Sequence, residues 1–481
     1  MNVCLIAPPN KSMADPRIAP PLGLLYLAAA QRNAGLGTPA VVDLNVSCYP
    51  AGPEGSKDHP GGNTHDFSLD RMLAEVPTGC DVYGLSLASM QLASGLPLVR
   101  ALRLREPGAV FVAGGAHASA MPADLAADFD VVVRYEGEAA WVALIWQLVA
   151  NGGRAGLFRD GLAFPAERVH HGGATIERGF AVTRAVVIDG TQIDPLDDAP
   201  IPARDLLDFS RYTRRIAGKA ATNLITSRGC PARCTYCQQV DLWGEGLRLM
   251  SPARVLAEVD AIRETTGIEN ILFLDDSLTA CSTARMSELC AGLKARGVQW
   301  RGWTRANLIA RPDRLPMLRE MHDAGFVSCC VGVESGSDRL LKAIAKQTTV
   351  EQNRAAIRNL KAAGIKARCS IMVGLPGETW DDVQALVDFV AAEQPDDWIL
   401  STLVPLPGTP SWNDSGIEID RDTLAASAYE GVFIVGGNEQ SGGGFWRYKD
   451  GTTAAEIDDR HTYVQEALLR LCPRDRQGIV A

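Results

Sequence analysis

ITSRGCPARCTYCQQ, residues 225–239, joins the end of a β-forming run, TNLITSRG (222–229), to three closely spaced cysteines. Cys230, Cys234 and Cys237 stand as C-x3-C-x2-C on one short loop. The chain has twelve cysteines, at 4, 48, 80, 230, 234, 237, 281, 290, 329, 330, 369 and 472. The other nine are scattered, mostly in apolar runs such as FVSCCVGVE (326–334), and read as small core residues.

Three thiolates on one tight loop suit three irons of a [4Fe–4S] cube and leave the fourth iron open to an exogenous ligand. A structural zinc site would want a fourth Cys or His nearby, and the next cysteine is Cys281. The N-terminus, MNVCLIAPPN, has no basic segment ahead of an apolar one, so a cytoplasmic protein is expected and a disulfide is disfavoured.

Around this loop the chain divides into two strand–helix series. Upstream, NVCLIAPP (2–9), PAVVDLN (39–45), DVYGLSLA (81–88), AVFVAGGAH (109–117) and DVVVRYEG (130–137) read as buried parallel strands separated by amphipathic runs. Five such units predict an α/β, doubly wound, flavodoxin-like domain over 1–150. Residues 51–66 read as a polar surface loop. Residues 151–220 read as a linker with a small strand pair. Downstream, six strands are expected: 222–229, 270–277, 298–306, 326–334, 366–374 and 397–405. Six units fall short of a closed eight-unit barrel, so 221–414 is expected to be a partial (βα)6 TIM-like barrel. Residues 415–481 form a C-terminal segment ending in an amphipathic helix over roughly 453–472.

The three-cysteine loop resembles the cluster motif of the radical S-adenosylmethionine (SAM) superfamily. The resemblance implies SAM on the open iron, cleaved by reduction to a 5′-deoxyadenosyl radical that abstracts hydrogen from a C–H bond. It also implies an electron donor such as flavodoxin or ferredoxin. Tyr236 resembles the aromatic beside the adenine. Asp275 and Asp276 in ILFLDDS would hold the SAM ammonium, and Arg305 in WTRAN would reach a carboxylate. Glu334 and Ser335 in GVESGS resemble the ribose and methionine contacts. Gly374 and Gly377 in SIMVGLPGET would let the backbone lie against the adenine, and LVPLPGTP (403–410) ends the sixth strand.

Residues 1–150 resemble the cobalamin-binding domain upstream of one large radical SAM class, through PPLGLLYLAA (20–29), GLSLAS (84–89), AGGAHASAMP (113–122) and RYEGEAAW (134–141). The resemblance covers residues 1–415. It implies corrin contacts at Ser86, Gly114, Gly115, His117 and Glu136. The loop after the first strand, APPNKSMADPRIAPP, lacks the D-x-H-x-x-G histidine that ligates cobalt in many cobalamin proteins.

The favoured expectation is cobalamin-dependent C-methylation of a small-molecule, natural-product substrate. The alternative is a cobalamin-free radical SAM dehydratase, oxidase or epimerase that keeps the first domain as a scaffold, with Tyr212 or Glu378 as acid–base candidates. A methylthiotransferase would need a second cluster, for which Cys4, Cys48 and Cys80 sit in or beside strands rather than in loops. A non-catalytic cobalamin or redox sensor would not need the complete motif set. Trp303, Trp412, Phe445, Trp446 and Tyr448 are candidate walls of the substrate space.

With 57 Asp and Glu against 47 Lys and Arg, the net charge is −10, which speaks against nucleic acid as a partner. No stretch approaches the roughly 20 apolar residues that span a bilayer, so no membrane partner is expected.

Overall fold

The structure is a computed structural model that describes residues 1–11, 13, 15–49, 66–153, 185–244, 246–414, 416–420 and 446–472. Most of the surface loop expected at 51–66, part of the linker, and Phe445 lie outside the described residues.

The first sheet is built from β1 (Val3–Ala7), β2 (Ala40–Asp43), β3 (Val82–Ser86), β4 (Val110–Gly114), β5 (Val131–Arg134) and β6 (Val186–Asp189). All its pairings are parallel, in the order β2-β1-β3-β4-β5-β6. The inner strands β1, β3, β4 and β5 are short apolar runs buried on both faces, as parallel strands covered by helices should be. Helices Leu22–Asn33 and Glu138–Ala150 cover one face, where Leu24, Ala28, Trp141 and Ile145 pack on Leu5, Val112 and Val133. Strand β6 corrects the expected linker. Val186–Asp189 pairs with β5 in register from Val131↔Val186 to Arg134↔Asp189, so it belongs to the sheet.

Described linker residues that follow β6 strap the two units together. Arg211 donates from Nη2 to the carbonyls of Val46 and Tyr49, at 2.8 Å each. Tyr212 Oη donates to Asp43 Oδ2 at 2.8 Å. Arg204, fully buried, reaches the other way, to Asn223 O and Glu258 Oε1 at 2.9 Å each.

The second sheet opens with an antiparallel ribbon of β7 (Arg215–Ile216) and β8 (Lys219–Leu224). The strand expected at 222–229 breaks after Leu224. Ser227–Arg228 becomes β9 and pairs instead with β10 (Arg248–Leu249). Next come β11 (Asn270–Phe273), β12 (Trp300–Arg305), β13 (Phe326–Glu334), β14 (Lys366–Val373) and β15 (Asp397–Thr402). From β8 to β15 the six long strands lie side by side in chain order and pair in parallel. A (βα) series that adds each strand to the same edge curls into a half-barrel. Its helices are capped as the sequence indicates. Ser251 accepts from Arg254 N ahead of Pro252–Thr266, and Thr379 forms a capping box with Asp382 ahead of Trp380–Glu393.

The C-terminal segment bridges both units. Strands β16 (Ile417–Ile419) and β17 (Trp446–Tyr448) pair antiparallel. Trp412, Ile417, Trp446 and Tyr448 join the apolar cluster that holds Leu85, Leu92 and Phe111 of the first domain. Helix Ala454–Leu471 returns to the barrel, where Val464 and Leu468 bury against its outer layer.

Candidate functional site: the cysteine loop against the first sheet

The three cysteines sit where β8 ends, at the carboxyl rim of the half-barrel, the face on which such barrels place their sites. Hydrogen bonds hold the loop on several sides. Thr235 N donates to Ile344 O at 3.0 Å, Ser411 N donates to Thr235 O at 2.9 Å, and Gln238 Nε2 donates to Pro407 O at 2.6 Å. Its base is closed by β9 and β10, with Arg228 opposite Arg248. Gly229 adopts φ +94°, and a Cβ there would lie 2.2 Å from Gly246 O. Only glycine allows the two limbs of the loop to come that close.

Cys234 is buried, and Cys230 and Cys237 are half-buried. Burial pushes the Cys237 thiol up to about 12, and the nearby charges of Cys234, Asp276 and Cys230 add to the rise. Thiols that repel one another as thiolates in a half-dry pocket form a donor set that a cationic cluster would relieve. Among the described residues, no three His, Cys, Asp or Glu side chains gather as ligands of a single ion. A cube asks for something else, because each thiolate binds a different iron.

The loop's neighbours include one residue that sequence reasoning did not single out. Lys346 is buried, and its Nζ lies 2.6 Å from Glu334 Oε1 and 3.2 Å from Tyr236 Oη. Glu334 itself sits at φ +62° at the end of β13. Burial, followed by the Glu334 charge, pushes the Tyr236 phenol well up. Arg305 is also buried, donating from Nη1 to Cys234 Sγ at 3.3 Å and from Nη2 to Lys346 O. It therefore faces the Cys234 thiol rather than standing free to receive a carboxylate. Ser335 is buried, and its Oγ accepts from Ser337 N at 3.2 Å.

The two aspartates after β11 separate in role. Asp275 is buried and accepts from Thr226 N at 3.1 Å, Thr226 Oγ1 at 2.9 Å and Ser227 Oγ. These bonds, all to Oδ1, pin the chain between β8 and β9 and leave Oδ2 buried without a hydrogen-bond partner. Burial still pushes its carboxyl up to about 6. Asp276 is half-buried, and burial followed by the Asp275 charge pushes it up to about 7. Of the pair, Asp276 is the one whose charge is felt at Cys237.

Other sequence candidates turn out to be structural. Gly374 is at φ +72°, and a Cβ there would lie 2.9 Å from Ile457 Cγ2 of the C-terminal helix. Its carbonyl accepts from Tyr448 Oη, and its N–H donates to Glu378 Oε2 at 2.8 Å. Glu378 also faces Arg460 at 3.7 Å. Gly377 is at φ +67°, and its carbonyl accepts from Arg339 Nη2 at 2.9 Å. The Tyr448 and Arg460 contacts dock the C-terminal segment, and Tyr212 ties the linker to Asp43, so Glu378 and Tyr212 are anchoring groups. Trp303 packs with Ile216, Ala221 and Leu272, while Trp412, Trp446 and Tyr448 fill a core.

A cavity of about 300 Å³ opens between the first sheet and the cysteine loop. Gly84, Ser86, Gly114 and Gly115 line one side, and Tyr26, Arg228, Leu242 and Trp243 line the other. A Cβ on Gly114 would meet only Val133 O, at 3.8 Å, so that residue leaves a bare backbone ledge. Gly115 is at φ +98°, with Leu87 O and N at 2.8 and 2.9 Å from a Cβ position, so it closes the turn. A bare glycine floor under an apolar slot fits the tail of a nucleotide-bearing corrin.

His117 and Glu136 differ from expectation. His117 is fully buried, with its Nδ1 2.9 Å from Ser89 Oγ and its Nε2 3.4 Å from Asp124, and it does not line the cavity. Glu136 lines the cavity, but its carboxylate is taken by two arginines. Arg228 Nη1 donates to Oε2 at 2.6 Å, and Arg248 donates to both oxygens. Arg228 Nη2 donates to Glu138 Oε1 at 2.6 Å, and its guanidinium lies 5.1 Å from the ring centres of Tyr26 and Trp243.

Comparison with known proteins agrees with this geometry. Residues 16–145 match the B12 binding domain, and residues 224–390 match the Radical SAM superfamily. The chain is similar to "Uncharacterized methyltransferase PH0819" of Pyrococcus horikoshii, 25% identical over 421 residues, 86% of this chain and 82% of that protein. It is 26% identical to cytidylyl-2-hydroxyethylphosphonate methyltransferase of Streptomyces wedmorensis over 78% of this chain and 73% of that one. Two solved structures share the fold. One is the cobalamin-dependent S-adenosylmethionine radical enzyme OxsB with aqua-cobalamin and S-adenosylmethionine bound, at a TM-score of 0.60 and 20% identity, covering 81% of this chain and 52% of that one. This chain thus spans about half the length of OxsB. The other is the methyltransferase TsrM from Kitasatospora setae with cobalamin and a [4Fe-4S] cluster bound, at a TM-score of 0.59 and 19% identity, covering 96% and 85%. With both domains present in this order, the chain belongs to the radical SAM superfamily, in the class that carries a B12-binding domain ahead of the radical SAM barrel and uses a [4Fe–4S] cluster, SAM and cobalamin.

Proposed function

We propose that this enzyme methylates an unactivated carbon of a small molecule held between the first sheet and the rim of the half-barrel. The observation that carries this reading is the shared cavity. Glycine ledges of the cobalamin-type sheet form one wall, and the base of the cysteine loop forms the other. Two curated relatives matched over most of their length bear methyltransferase names, which supports the same reading.

When bound, the cluster supplies one-electron reduction of SAM and the corrin supplies the methyl group. The protein's part is to hold and align. Cys230, Cys234 and Cys237 hold the cluster, and Arg305 turns its positive charge toward Cys234. Asp276 faces the loop with a carboxylate suited to an ammonium group. The Glu334–Lys346–Tyr236 set fixes the aromatic between two cysteines. Gly114 and Gly115 floor the corrin-tail slot. Packing of Trp412, Trp446 and Ile457 closes one side of the rim and helps exclude water. An electron carrier such as flavodoxin or ferredoxin would supply the electron.

The test is anaerobic purification from cells supplied with cobalamin, followed by assay of iron, sulfide and corrin. About four irons and about one corrin per chain are expected. Four irons without corrin would overturn the methyl-transfer reading.

A further inference from the structure

The base of the cysteine loop and the floor of the cavity share one carboxylate. Arg228 and Arg248 face each other across β9 and β10, at the neck from which residues 229–247 emerge. Both grip Glu136, which stands in the turn after β5 and belongs to the cavity wall. Ile193 N donates to the same carboxylate at 3.1 Å, and Glu138 takes the second arm of Arg228. Arg228 and Glu136 each have a side-chain exposure of 2% or less. Burial alone would lower the Arg228 pKa, but the charges of Glu138 and Glu136 hold it above the ordinary arginine value. Such a site tolerates few geometries, because moving any partner strands a buried charge.

We propose that Glu136 and its two arginines are a positioning clamp that couples occupancy of the corrin cavity to the set of the cluster loop. The inference rests on the methyl-transfer reading above. A ligand in the cavity touches Glu136, Glu138, Arg228 and Trp243, and so restrains the neck two residues before Cys230. The converse must hold: a loop fixed by its cluster presents a finished cavity wall. Coupling of this kind is reciprocal by thermodynamic necessity. Glu136 is therefore a positioning residue, since it acts on the cluster through Arg228 and Arg248.

The test uses the full-length, cluster-loaded protein and follows iron loss to a chelator with and without hydroxocobalamin. In the native protein, hydroxocobalamin slows iron loss about tenfold. In Glu136→Gln the amide offers one acceptor oxygen and no charge where two arginines need both oxygens of a carboxylate. Hydroxocobalamin still binds the glycine floor, but its protection falls to about onefold. Arg248→Lys keeps the charge and one bond, and gives intermediate protection even if Glu136→Gln folds poorly.

Equal protection in native and variant proteins would overturn the clamp, because a corrin that merely shields the cluster protects both alike. Corrin binding without protection in the native protein would overturn it as well. No corrin binding at all would instead bring down the methyl-transfer reading, and the clamp with it.

Discussion

Lys346 Nζ lies 2.6 Å from Glu334 Oε1, and both side chains are almost wholly buried. Burying one of these charges alone would be costly, and the pair also orients Tyr236 through its hydroxyl. Lys346→Met leaves Glu334 as an uncompensated buried carboxylate. The expected loss is about 3–5 kcal/mol of stability. Urea unfolding under anaerobic conditions checks it. The double change Lys346→Met with Glu334→Gln should recover part of the loss, because no lone charge then remains.

Gly115→Ala and Gly114→Ala should part company. At Gly115, positive φ and the Leu87 backbone both oppose a Cβ, so the change costs on the order of 2–3 kcal/mol and lowers the melting temperature. At Gly114 the Cβ meets no close atom of the protein. That variant keeps its melting temperature but loses about tenfold in hydroxocobalamin affinity, because its methyl group occupies the slot. Equal corrin binding by Gly114→Ala and the native protein would remove Gly114 from the corrin floor.

Asp275 and Asp276 are adjacent yet should behave differently. Asp275→Ala strands the donors of Thr226 and Ser227 and costs on the order of 3 kcal/mol. Asp276→Asn removes a carboxylate that burial already disfavours, so the melting temperature at pH 8 holds or rises. Its effect should fall instead on SAM, with an affinity loss of about tenfold in equilibrium dialysis.

Glu378 supplies a pH dependence with a definite sign. Burial raises its carboxyl from 4.5 to about 7 in the folded chain. The folded state therefore binds this proton more tightly than the unfolded state. The resulting stabilisation is complete below about pH 4.5 and is lost as pH rises through about 7. Over that window the native protein loses on the order of 3 kcal/mol from this group. Asp43 and Asp275, both raised to about 6, act in the same direction. Glu378→Gln should show a flatter stability profile between pH 5 and 8 in urea unfolding. An identical slope in the two proteins would refute the assignment.

What could be read in advance follows from what local sequence encodes. FVSCCVGVE matches β13 from end to end, because a nine-residue apolar run between polar boundaries has few other uses. Ser251 and Thr379 mark their helix starts because capping is a local bargain between side chain and backbone. The cysteine spacing was equally legible. Partnerships across the chain were not. Glu136 and Arg228 are 92 residues apart, and nothing local pairs Glu136, a corrin-contact candidate, with an arginine until the two units meet. Lys346, in AIAKQTT, resembles a solvent-facing helix end, and only the fold buries it. The aromatics at 412, 446 and 448 suit either the wall of an open space or a core, because amphipathic rings serve both ends equally well, and they fill a core. Strand β6 went unseen because four residues between Gly, Asp and Pro carry too little periodicity.

That sixth strand has a consequence for how the molecule is made. A nascent chain that has emerged only to residue 150 presents β5 with one bare edge, its backbone donors and acceptors open to any neighbouring strand. Val186–Asp189 closes that edge, and Arg211 and Tyr212 follow to tie down the far side of the same sheet. The amino-terminal unit thus completes its folding only after the ribosome has moved well past its helices. Its last stitches lie next to the first strands of the barrel, so the two units mature nearly together.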